Sequence, residues 1–287
     1  MVNEAGATRW RAEVGLVVIT LIAAAGWVIS KSVLAEMQPY TFIALRFALA
    51  TLGLACFCHR ELLALSRPQL LRSVATGAVL GGSLLLWVVA LAQTRYVGAG
   101  AFIISLNVVA VPLLSRLFFG HVIGSNLLWA LLPAVLGLAL LTVDNGFVLE
   151  LDQWLFVVSM LGFAMHMILT AIYVKNTPPL ALSTVQLATA GCIATVAALA
   201  TEQWQGGISN GVWGLLLLSA LLATSLRFAI QNRVLQYVTP SHASMVFLVE
   251  PVWTALLAAG LLGERMSLIQ VLGCCSIMLA LLIYRLR

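Results

Sequence analysis

A handful of polar side chains stand where the surrounding sequence is otherwise apolar, and their types are those that hold small charged molecules. Glu250 lies inside MVFLVEPVWTALLAAGLLGER (245–265), with Pro251 directly after it. Arg227 and Gln231 are four residues apart, and so are Ser83 and Trp87. That spacing puts each pair on one helix face. Trp27, Asn107 and His166 complete the set. A guanidinium fork suits a carboxylate, and tryptophan rings with an amide suit an apolar body carrying a polar end. These residues are the candidate substrate-binding set, with Glu250 and Pro251 as the candidate coupling or gating pair. Each also has a plainer reading. Arg227 could only neutralise Glu250 within a bundle, and His166 could only be a hydrogen-bonded bundle histidine. The glycines of Gly77-Ala-Val-Leu-Gly81 suit close helix packing.

The solvent around these residues follows from composition. Of 287 residues, 62% are hydrophobic and 9% charged, and mean hydropathy is +1.06. Typical soluble domains carry about 25% charged residues, so a water-soluble globule is excluded. Apolar stretches of about 20 residues, enough to cross hydrocarbon, recur along the chain. Ten spans are predicted, at 13–35, 39–58, 70–93, 98–118, 124–143, 153–174, 179–201, 212–235, 240–262 and 267–286. Turn chemistry or charge separates them, as at Gln38-Pro39, Arg67-Pro68, Asp144-Asn145-Gly146, Pro178-Pro179 and Thr239-Pro240. The first span, preceded by Arg9 and Arg11, is too long for a signal peptide and reads as uncleaved. No alternating β pattern of a membrane barrel is present.

Basic residues predict the orientation. Arg9, Arg11, Arg60, Arg67, Arg72, Arg116, Lys175, Arg233, Arg285 and Arg287 fall on one side, and Arg95, Arg265, the borderline Lys31 and the acidic Asp144, Glu150 and Asp152 on the other. The positive side is cytoplasmic, so both termini are expected there. The net charge of +5 then reflects topology, and no nucleic-acid partner is implied. Trp10, Trp129, Trp154, Trp204 and Trp213 near span ends read as interfacial anchors. The five cysteines show no zinc spacing and read as buried, unreactive thiols.

The chain also repeats itself. PYTFIALRFALAT (39–51) lines up with PLALSTVQLATAG (179–191), and LNVVAVPLLSRLFFGHV (106–122) with VEPVWTALLAAGLLGER (249–265). The second match sets Asn107 against Glu250. Similar alignment sets Trp27 against His166 and Trp87 against Arg227 or its neighbour Phe228. The expected domains are a first five-helix repeat at 13–143 and a second at 153–286 within one transmembrane unit. Five is odd, so the second repeat enters the membrane upside down. Inverted repeats of this kind mark secondary transporters, whose site lies near the midplane between the halves.

With ten spans in two repeats, the LRF at 45–47 and the LVEP…GLLGER run, the chain resembles the EamA-type carriers of the drug/metabolite transporter superfamily. The resemblance implies an all-α inner-membrane carrier, often an exporter of amino acids or other metabolites, with a central cavity. Gly120-His121 departs from the pattern, lacking an acidic residue after the glycine in the first half. For Arg46 the LRF setting suggests a structural tie.

The expected function is therefore secondary transport of small organic metabolites, most directly export of amino acids or related carboxylate-bearing compounds. Efflux of drugs or organic cations is the alternative. The implied partners are a small-molecule substrate and the lipid bilayer, with a proton as candidate coupling ion; no cofactor is implied. An enzyme is not expected, because no Ser/His/Asp set, HExxH helix or carboxylate pair is present, nor is there a phosphate-binding loop for ATP.

Overall fold

The computed structural model describes residues 2–94, 97–142, 150–203, 206–262 and 267–286. Among these the chain is helical with no strand. In order come α1 (Val2–Val33), α2 (Pro39–Leu63), α3 (Arg67–Gln93), α4 (Val97–Ser105), α5 (Asn107–Phe119), α6 (Ser125–Thr142), α7 (Leu151–Tyr173) and α8 (Pro179–Thr201). Then follow α9 (Asn210–Ala220), a π-helical segment (Leu221–Leu226), α10 (Arg227–Leu235), α11 (Pro240–Phe247), α12 (Val249–Leu262) and α13 (Leu268–Leu286). Among the described residues seven helical stretches are long and apolar enough to cross a membrane, and α6 and α13 supply shorter apolar helices. The predicted turns at Asp144-Asn145-Gly146 and at Gly263-Glu264-Arg265, together with Arg95, Trp204 and Arg287, lie outside the described residues.

Prolines set the starts. Pro39, Pro68, Pro179 and Pro240 occupy the first turns of α2, α3, α8 and α11, where a missing N–H removes no helical bond. Charged side chains tie several ends to neighbouring helices. The Glu202 carboxylate accepts from the Tyr40 and Thr41 amides (both 2.7 Å) and from the Thr41 hydroxyl, closing the N-terminus of α2. Lys31 Nζ donates to the carbonyls of Leu91 and Thr94 at the end of α3. Both placements complement the local helix dipole as well as satisfying orphan backbone groups.

The helices pack as α2 on α8, α3 on α7 and α8, α6 on α13, and α1 on α9, α10 and α12, with α4 and α5 against α7. Small residues permit the closest of these approaches. A Cβ on Gly77 would lie 2.9 Å from the Gln186 Cα, and one on Gly81 would lie 3.1 Å from the Ala190 Cα. These two glycines therefore bring α3 onto α8, which is the packing role expected of them.

The outer faces are apolar because lipid lies there. Trp10, Trp129, Trp154 and Trp213 are exposed, as anchors would be. The thiols depart from the expectation of uniform burial. Cys58 is buried, whereas Cys56, Cys192 and Cys275 are exposed on helix surfaces. In a bilayer an apolar side chain meets no penalty on the outside, so hydrophobicity alone does not drive a thiol inward.

Candidate functional site

Two helix interruptions shape the centre of the bundle. At Leu106 the amide is shared between the carbonyls of Phe102 (3.2 Å) and Ile103 (3.1 Å), and α5 begins anew at Asn107. At Leu248 the amide reaches back three residues instead of four, to Met245 O at 3.3 Å, and α12 begins at Val249. Proline follows both breaks. Pro251 has no N–H to offer Phe247 O, and Pro112 has none for Val108 O, so each weakens the ladder beside its break. Asn107 and Glu250 thus sit in the first turns after the two interruptions, as their alignment anticipates.

A cavity of about 140 Å³ opens at this level. Of the residues selected from sequence, Trp27, Trp87, Asn107, His166, Arg227, Gln231 and Glu250 line it. Ser83 does not: its hydroxyl donates to Val79 O at 2.7 Å and its carbonyl accepts from Ser159 at 2.8 Å, so it belongs to the α3–α7 seam one turn away. Pro251 lies just outside the lining and acts on the backbone. Phe47, Phe163, Phe228 and Phe247 supply most of the remaining aromatic wall.

The charges are arranged unequally. Glu250 Oε1 accepts from Trp27 Nε1 at 2.7 Å. Its other oxygen is 3.9 Å from Arg227 Nη2, well beyond the roughly 2.8 Å of a charge-assisted hydrogen bond. Arg227 Nε is buried with no partner, and so is Asn107 Oδ1. The pair is therefore close enough to attract and too far apart to consume the guanidinium's donors. Trp27 also stands edge-on to Trp87, with ring centroids 5.3 Å apart.

Arg46 is engaged differently. Its Nε donates to Thr224 Oγ1 at 2.6 Å, Nη1 to Ser30 Oγ at 3.0 Å and Nη2 to Ala223 O at 3.3 Å. The guanidinium also stands 5.6 Å from the centroid of the Phe42 ring. All its nitrogens are occupied, so it clamps α1 and α2 to the π-helical segment although its side chain borders the cavity. Within that segment the backbone is wound wider. Thr224 and Ser225 hydroxyls reach back five residues, to Ser219 O and Ala220 O at 3.0 Å each. A π turn leaves backbone groups open to tertiary partners, and Arg46 takes the carbonyl of Ala223.

Among the described residues no group of three or more His, Cys, Asp or Glu could hold a metal ion. The site instead combines an aromatic wall, one under-used cation, one tryptophan-held carboxylate and one unpartnered amide oxygen. The pattern of the EamA-like transporter family matches residues 10–143 and again residues 153–286, nearly the whole chain. The chain belongs to the EamA-like transporter family. An uncharacterized transporter of Archaeoglobus fulgidus is 26% identical over 283 residues, covering 98% of this chain and 88% of that protein. A crystal structure superimposes with a TM-score of 0.77 at 14% identity, over 94% of this chain and 96% of that one, which shows a shared fold. Family membership and the apolar helices together make this a multi-pass membrane transporter. For an EamA-like transporter the central cavity is the natural place to seek the substrate.

Proposed function

We propose that the protein is a secondary carrier that exports amino acids or related small carboxylate-bearing metabolites by alternating access. The observation that carries this reading is Arg227, whose part-exposed guanidinium lines the cavity with its nearest carboxylate oxygen 3.9 Å from Nη2. A cation with no close carboxylate hydrogen bond favours an occupant that supplies the acceptor. A carboxylate meets that need with bidentate geometry. Glu250, which also lines the cavity, can accept from an ammonium, while Trp87 and the phenylalanines pack an apolar side chain. Drug-sized ligands fill cavities of roughly 300–1,000 Å³; a cavity of about 140 Å³ suits a smaller metabolite.

The two five-helix halves, 13–143 and 153–286, would rock about this cavity. The double family match supports the division. So does the packing, in which α3 on α7 in one direction has a counterpart in the α9–α10 arm on α1, and α2–α8 and α6–α13 pair each helix with its own equivalent. In this reading the full set of ten spans crosses the cell inner membrane with both termini cytoplasmic. A reporter fused after Arg287 is then expected on the cytoplasmic side and one inserted near Asn145 on the periplasmic side. Both reporters on one side would end the inverted-repeat reading.

Efflux of organic cations is the second reading, favoured by one observation: the Trp27–Trp87 pair lies beside a carboxylate, as a cation site would have it. Purified protein in liposomes separates the two. Labelled L-leucine is expected to exchange across the membrane, and labelled tetraphenylphosphonium is not. Transport of the cation alone would reverse the assignment.

A further inference from the structure

One end of the bundle carries exposed cations that the cavity does not use. Arg67 and Arg72 stand on the first turns of α3 and Lys175 on the corner that follows α7, and all three are exposed. Two contacts hold them around one seam. The Arg72 guanidinium lies over the Tyr173 ring, 5.5 Å from its centroid. Gln69 Nε2 donates to Asn176 O at 2.5 Å, which ties the start of α3 to the residue after Lys175. The carboxylate nearest in sequence to the two arginines is Glu61, at the end of α2. Among the described residues it forms an ion pair with neither of them, nor with Lys175.

Deeper along the same two helices the outward faces are apolar. On α3, Leu71, Val74, Ala75 and Ala78 are exposed, filling the arc beside Arg72. On α7, Leu161, Met165 and Leu169 recur every four residues and are exposed or half-buried; Tyr173 is the next member of that row. The two helices pack against each other. An apolar chain lying along their outer seam would therefore meet these rows and end at Tyr173 and Arg72. Arg67 precedes Leu71 by four residues and shares its face, at the outer end of the seam. Arg72 is five residues into α3, roughly 8 Å from the helix start at the helical rise. A long basic side chain at that depth reaches the headgroup layer while its stem stays in apolar surroundings.

We propose that the α3–α7 seam is a binding site for one anionic phospholipid, whose phosphate is held by Arg67, Arg72 and Lys175 and whose acyl chains lie along the two apolar rows. A guanidinium presents two donors to a phosphate, and the lysine adds a point charge. Three cations with no paired carboxylate disfavour a headgroup that carries its own cation, so the site selects phosphatidylglycerol over phosphatidylcholine. A soluble anion would satisfy the cations and leave the apolar rows unused. The bound lipid braces α3 against α7 at the corner where α8 begins, and it does so whatever the cavity carries.

The test is native mass spectrometry of the full-length protein in detergent, titrated with dioleoylphosphatidylglycerol and, separately, with dioleoylphosphatidylcholine. The first phosphatidylglycerol is expected to bind about tenfold or more tightly than the first phosphatidylcholine. Each basic side chain near an anionic headgroup is worth about a fivefold gain in binding. The variant Arg67→Gln/Arg72→Gln/Lys175→Gln is therefore expected to weaken the phosphatidylglycerol by roughly a hundredfold. Arg116→Gln/Arg285→Gln/Arg287→Gln removes as much charge from the face predicted to be cytoplasmic and is expected to leave that binding unchanged, and inorganic phosphate is expected not to displace the lipid. Equal binding of the two lipids, an equal loss in the second variant, or displacement by inorganic phosphate would each overturn the proposal. If the first variant does not fold, the wild type decides. Phosphatidylglycerol with a photoreactive headgroup is expected to label residues 67–72 and 173–176, and label spread over the other helix ends would overturn the site.

Discussion

Exchanging Arg227 for leucine is expected to abolish transport of carboxylate substrates, with kcat/KM for labelled L-leucine falling by a hundredfold or more. The guanidinium lines the cavity and has a carboxylate 3.9 Å away from only one of its terminal nitrogens. Hydrogen bonds to charged groups contribute about 1.5–3 kcal/mol each, and two of them lost together correspond to roughly a factor of 100 or more. A complication accompanies the change: removing the cation leaves Glu250 without its nearby opposite charge, and a stranded buried charge is itself destabilising. The double variant Arg227→Leu/Glu250→Gln removes both charges and separates the two effects. If the double variant folds as the wild type does yet still moves no leucine, the arginine is needed for the substrate. Recovery of leucine transport in the double variant would make Arg227 a counter-charge and nothing more. Arg227→Lys is expected to retain charge but lose most of the rate, because an ammonium cannot reproduce the planar fork.

Glu250→Gln should uncouple the carrier. Glutamine keeps an oxygen to accept from Trp27 Nε1, so the local geometry survives. What disappears is the titratable carboxylate at the break between α11 and α12. Exchange of labelled leucine between equal pools is expected to stay within about twofold of wild type, while accumulation driven by a pH gradient vanishes; a side chain whose only role is in gradient coupling leaves exchange intact. Gradient-driven uptake that persists in the variant would eliminate coupling through Glu250. The residue would then be a structural counter-charge, with Pro251 marking a hinge, since proline leaves the carbonyl of Phe247 without its helical donor.

The pattern of legibility follows from what distinguishes one intramembrane residue from another. Rare polar or aromatic side chains in long apolar runs were visible, and Trp27, Trp87, Asn107, His166, Arg227, Gln231 and Glu250 do border one cavity. Both helix breaks carried a proline as a local mark. Ser83 was chosen because it shares a face with Trp87, but a face extends the whole length of a helix, and the cavity spans only part of it. Phe47, Phe163, Phe228 and Phe247 went unseen because a phenylalanine facing lipid and one facing the cavity have the same sequence context. A buried chain of hydrogen bonds through Gln186, Asn232 and Thr170 did carry the signal of buried amides and hydroxyls inside apolar spans. Its members are nevertheless spread over α3, α7, α8 and α10, and no spacing rule reaches across four helices. The Arg46 clamp was legible as a structural tie, but its partner, a carbonyl in a widened turn, was not.

That widened turn has a consequence for how the carrier can change. A regular helix rotates by about 100° for each residue added or removed, and a π turn accommodates one residue more than the regular helix would at the same rise. The segment Leu221–Leu226 therefore absorbs one extra residue immediately ahead of Arg227 without turning the helix that follows. Deleting one residue from it would return the turn to regular winding with Arg227 and Gln231 still facing the cavity, and would withdraw the Ala223 carbonyl that Arg46 holds. Length at this point can thus vary by one residue without moving the cationic site, and what it changes is the Arg46 clamp.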